Sequence, residues 1–119
     1  MKHQTQPSRR GCGQTCIAML IDVSAADVIA DIPDKKGTHG HQLAAYLNAR
    51  GFHVPTRPQR YRGSLPERAI VRVRWDEKQH RSHWIVWADG RFWDPLGPDE
   101  AFYEHGGRII SYLPVERSS

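Results

Sequence analysis

The hydrophobic pattern of this chain changes period once, near Gly51, and that change constrains the architecture more than any other feature. Before it, apolar residues recur at helical spacing. After it, they alternate or gather in short aromatic and β-branched stretches. Cys16-Ile17-Ala18-Met19-Leu20-Ile21 is apolar throughout and predicts a short buried helix, with Cys12 and Gly13 at its amino end and Asp22 closing it. Ser24 to Pro33 predicts a second helix: Ser24 and Asp27 form a Ser-x-x-acid capping signal, and Pro33 ends it. A third is expected from Gly40 to Arg50, capped by Thr38, because Leu43, Ala44 and Leu47 share one helical face and Gly51 follows as a stop signal. Strands are then expected at Phe52–Val54, Ala69–Trp75, His83–Ala88, Arg91–Asp94 and Arg108–Leu113, with the polar stretch from Pro55 to Pro66 a surface connection. Helices first and an antiparallel sheet afterwards is the α+β class.

With 119 residues the chain reads as a single domain over 1–119, large enough for a core without metals or disulfide staples. No apolar run approaches the ~20 residues of a membrane span. No apolar stretch precedes Cys12, so no secretory signal is read, and two cysteines form no disulfide framework. These features lead us to expect a cytoplasmic protein. The net charge is +4, and the densest basic stretch, Arg57 to Arg74, has Glu67 as its counter-charge and little aromatic interleaving. It reads as a solvated basic face, with nucleic acid a less favoured partner than a peptide.

Several residues point to chemistry. Cys12, at a helix amino terminus, lies in the positive end of the helix dipole, which favours the nucleophilic thiolate. Cys16 falls inside the apolar run and fits a buried core thiol. A thiol nucleophile needs a base that later returns the proton. His83 opens a strand that turns at Asp89-Gly90 and returns to Asp94. Counting outward from that turn sets Ala88 opposite Arg91 and Trp84 opposite Pro95, so His83 and Asp94 fall at the same end of the hairpin. A carboxylate there orients the imidazole. Gln6, six residues before Cys12, offers a side-chain amide that, with the Cys12 backbone N–H, would stabilise an oxyanion; Gln4 is the competing choice. Trp84 and Trp93 flank this site as possible groove walls. His39-Gly40-His41 offers two metal ligands but no third or fourth at suitable spacing, so no metal and no cofactor is expected.

In their order and spacing, Gln6, Cys12-Gly13 with the following Ile17-Ala18-Met19-Leu20, Gly37-Thr38 with Leu43, Leu47 and Gly51-Phe52, His83-Trp84-Ile85-Val86, and Trp93-Asp94-Pro95 resemble the papain-like cysteine peptidases of the bacteriocin-processing type, which cut double-glycine leaders. The resemblance spans about residues 4 to 97. It implies a papain-like α+β fold, with Cys12 as nucleophile, His83 as base, Asp94 as orienting acid and Gln6 as oxyanion donor. The chain departs from the family at Arg10-Gly11, where an acidic residue often precedes the cysteine. The expected activity is cleavage of a peptide or isopeptide bond through an acyl-enzyme. The alternatives are a transpeptidase or transglutaminase-like acyl transferase using the same residues, and a non-catalytic protein- or nucleic-acid-binding effector on the same scaffold. Family resemblance leaves the substrate open.

Overall fold

The computed structural model of the protein describes residues 1–34, 37–74, 82–97 and 108–117. Among them lie three helices, α1 (Cys12–Ile21), α2 (Ala25–Asp31) and α3 (Gly40–Asn48), followed by seven strands. The strands are β1 (Phe52–His53), β2 (Gln59–Arg60), β3 (Ala69–Arg74), β4 (Ser82–Ala88), β5 (Arg91–Trp93), β6 (Arg108–Pro114) and β7 (Glu116–Arg117). The fold is α+β, with the helices packed on antiparallel sheets.

The five-stranded sheet runs β2-β6-β3-β4-β5, and β1 pairs with β7 in a separate two-stranded ladder. The hairpin register is the one obtained by counting: Ala88 faces Arg91, Trp87 faces Phe92 and Val86 faces Trp93. Its turn has positive φ at both central residues, 55° at Asp89 and 73° at Gly90, the backbone that a two-residue hairpin matched to strand twist requires.

The helices bury one side each. In α1, eight residues from Gly13 to Leu20 are buried, so this helix is core on nearly all faces. Ser24 caps α2 by accepting a hydrogen bond from the Asp27 N–H at 3.1 Å. In α3 the buried residues are Leu43, Ala44 and Leu47, and burying each leucine contributes about 1.5–3 kcal/mol. One core joins these faces to Ile70, Trp84, Val86 and Leu113 of the sheet. A smaller cluster of Ala69, Val71, Val73 and Ile85 is roofed in part by Trp87, Phe92, Ile109 and Tyr112.

Three local expectations are corrected. The cap of α3 is His39, not Thr38: the His39 N–H donates to Gln42 Oε1 at 2.8 Å, while the Thr38 carbonyl accepts from the Trp84 indole at 3.0 Å. The 55–66 segment is not wholly a connection, because Gln59 and Arg60 pair with Tyr112 and Ser111. Glu116–Arg117 adds a strand that the sequence does not announce. Both of these strands are two exposed residues long, so their pairing comes from a distant partner and not from any hydrophobic period. Trp75, Pro98, His105, Gly106 and Gly107, which enter the sequence reading as a strand end and turns, lie outside the described residues.

Candidate active site

The site forms where the amino end of α1 meets the edge of β4. Pairing of β4 with β5 runs from Ala88 only to Val86, so β5 does not cover the first half of β4. The amino end of α1 docks there. Gly13 eases this approach: a Cβ on it would stand 3.1 Å from Leu43 Cδ2 and 3.4 Å from both Thr38 Cβ and Trp84 Cδ1. The first of these distances is too close for comfortable packing.

This docking brings Cys12 to His83. The His83 Nε2 lies 2.8 Å from Asp94 Oδ1, with both side chains buried. The hydrogen bond between His83 and Cys12 therefore falls to the other ring nitrogen, Nδ1. Sulfur, imidazole and carboxylate form one continuous chain of hydrogen bonds.

Asp94 is held by its own turn. Its Oδ1 also accepts from the Leu96 N–H at 2.9 Å, and its carbonyl accepts from the Gly97 N–H at 3.1 Å. This is the geometry of an Asp side chain closing a turn two residues on, for which Asp94-Pro95-Leu96-Gly97 is a suitable sequence. The N-terminal segment straps the same turn. His3 Nε2 lies 2.7 Å from the Asp94 carbonyl oxygen, and the Gln6 N–H donates to the Pro95 carbonyl at 2.7 Å. Nothing in the sequence distinguishes His3 from the other six of its seven histidines.

The electrostatics differ sharply between the two thiols. Burial pushes the Cys12 thiol up, but the hydrogen bond and charge of His83, with N–H donors from Trp84 and Gly13, more than offset it, so its pKa falls below the ordinary value. Burial likewise opposes the charged form of His83, yet its bonds to Asp94 and Cys12 and their charges raise it to about 9. Cys16, fully buried, is pushed well up, first by burial and then by the charges of Cys12 and Asp94. Both shifts favour the charged forms, thiolate at Cys12 and imidazolium at His83.

The two glutamines take different places. Gln4 belongs to the α1–α2 corner: its Nε2 donates to the Val23 carbonyl at 2.6 Å, and its Oε1 accepts from the Ala25 N–H at 2.9 Å. Gln6 lies beside the site, on the Pro95 backbone, with its Nε2 donating to the Ser8 and Arg9 carbonyls at 2.8 and 3.2 Å. Both of its amide hydrogens are thus engaged by the loop entering Cys12, and its Oε1 is buried without a partner among the described residues. Trp84 borders the nucleophile, whereas Trp93 donates to the Ala88 carbonyl at 3.0 Å and stacks under Arg91 at 3.9 Å, nearer the turn of the hairpin. His39 and His41 stack with ring centroids 5.6 Å apart at the start of α3, and among the described residues no group of three or more potential metal ligands converges. Among the same residues, no single helix is long and apolar enough to cross a membrane.

Comparison of the chain with family models, with curated proteins and with solved structures finds no match.

Proposed function

We propose that this protein is a papain-like cysteine peptidase that cleaves a peptide or isopeptide bond of a peptide or protein substrate. One observation carries the reading: a thiol at the amino end of a helix, an imidazole and a buried carboxylate, from three separate elements, joined by consecutive hydrogen bonds. The sequence resemblance to bacteriocin-processing peptidases assigns the same residues the same roles.

The Cys12 thiolate attacks the substrate carbonyl, forming a C–S bond and an oxyanion. The backbone N–H of Cys12 has no intrahelical acceptor at the first position of α1 and is one donor to that oxyanion. The Gln6 amide is the second once it exchanges the Ser8 and Arg9 carbonyls for the oxyanion. Collapse breaks the C–N bond while His83 gives its proton to the leaving amine. Water then attacks the thioester, with His83 taking its proton, and the released acid regenerates the thiolate–imidazolium pair. Asp94 keeps the ring oriented and stabilises its positive charge.

The test is to treat the protein with peptide aldehydes and peptidyl vinyl sulfones and read adducts by intact mass. A single adduct on Cys12, absent in Cys12→Ala and in His83→Ala proteins that remain folded, is expected. Hydrolysis retained by Cys12→Ala protein would sink the proposal. Product analysis with an added amine separates hydrolysis from acyl transfer on the same site.

A further inference from the structure

Trp84 connects the nucleophile to a cavity that the reaction above does not use. Its backbone N–H donates to the Cys12 thiol. Its indole reaches from α1 to α3: a Cβ on Gly13 would lie 3.4 Å from Cδ1, and one on Gly40 would lie 3.5 Å from Cη2. Beyond the indole opens a cavity of about 360 Å³, whose wall includes Thr38, His39, Gly40, Arg72, Ser82 and Trp84. That volume accommodates one or two amino-acid side chains.

The described part of the wall carries the basic side chain of Arg72. None of the described residues lining the cavity is acidic, and Gly40 places the amino end of α3 there. Strand register adds a second basic group. Arg60 opposes Ser111, Ser111 opposes Arg72 and Arg72 opposes Trp84, so these four side chains form one row on one face of the sheet. Only the small Ser111 separates the two arginines. Arg72 is half-buried and donates to Ser82 Oγ at 3.3 Å, and among the described residues no carboxylate pairs with it. The Thr38 hydroxyl on the same wall is buried and has no hydrogen-bond partner among those residues. The Arg72 guanidinium, exposed where it meets Ser82 and bonded among the described residues to that hydroxyl, retains donors for a planar acceptor, and a carboxylate matches its fork.

We propose that this cavity is a specificity subsite for an Asp or Glu side chain of the peptide substrate, close to the scissile bond, with Arg72 as the residue that binds it. The inference rests on the peptidase reading and deepens it. It makes the preference a property of one arginine beside Trp84, not of the general basic charge of the chain.

The test uses the full chain and an internally quenched peptide library in which Glu, Gln or Lys is scanned through three positions on either side of the cleaved bond. At one position Glu is expected to raise kcat/KM over Gln about tenfold, the scale of one partly shielded charge-assisted hydrogen bond. Arg72→Met removes that preference, Arg72→Lys keeps part of it, and Arg72→Glu turns it toward Lys. Iodoacetamide labelling of Cys12, a reagent with no side chain to place in the cavity, reports whether each variant still assembles its thiolate. Equal cleavage of Glu and Gln peptides at every position overturns the subsite and leaves the peptidase intact. So does a Glu preference that survives Arg72→Met. A library left uncut, with no adduct from any peptide electrophile, overturns the peptidase reading and the subsite with it.

Discussion

The first and second turns of α1 carry the same side chain in opposite electrostatic settings. Cys12, in the first turn, is partly exposed, faces His83 and has its pKa lowered. Cys16, in the second, is fully buried among apolar neighbours and has its pKa raised. Both feel desolvation, which disfavours thiolate. The difference is that the first turn is docked against the uncovered edge of β4, where an imidazole and two backbone N–H groups offset that cost. The direction in which each thiol's pKa shifts is thus set by what its turn of helix meets, and not by the residue or the helix alone.

The contrast breaks most completely at Cys12. Cys12→Ala is expected to abolish hydrolysis and iodoacetamide labelling at pH 6. Cys16→Ala is expected to retain both and lose about 1 kcal/mol of stability, read by denaturant unfolding. His83→Ala comes next. It removes the largest influence lowering the Cys12 pKa, so burial prevails and the two thiols converge in behaviour. The pH at which Cys12 is half-labelled should then move upward.

Asp94→Asn sharpens the comparison. The raised pKa of His83 means that the ring keeps its proton below about pH 9 and loses it as pH rises through that value. Without the carboxylate the proton leaves at lower pH. The alkaline limb of the pH–rate profile should therefore shift toward neutrality, and hydrolysis should fall on the order of 10²- to 10⁴-fold. Gly13→Ala is the smallest expected effect. The new Cβ meets Leu43 and Trp84, so these side chains or α1 must give by a few tenths of an ångström. A cost of about 1–3 kcal/mol in stability and a slower labelling of Cys12, with Cys16 unchanged, are the expected readings.

Much of this arrangement is legible residue by residue. The apolar run after Cys12 places that thiol at a helix start, and the Ser24 cap separates the second helix. Asp89-Gly90 determines the hairpin register, which in turn sets His83 and Asp94 at one end. The strands β2 and β7 are not legible, since two exposed residues carry no period and their partners lie far along the chain. His3 is not legible for the same reason: its bond to the Asp94 carbonyl spans 91 residues of sequence. The Arg60–Ser111–Arg72–Trp84 row is invisible until the order of the sheet is known.

What this sequence determines by itself is local: where helices begin and end, which face of each is apolar, and the register of one tight hairpin, because capping, periodicity and turn conformation act over a few residues. Contact between the Cys12 sulfur and the His83 ring, the strapping of the Asp94 turn by residues 3 and 6, and the company that Arg72 keeps are decided only when α1 docks on the edge of β4. Those contacts join groups far apart in the chain, and their energies depend on a burial that exists only once the core has closed.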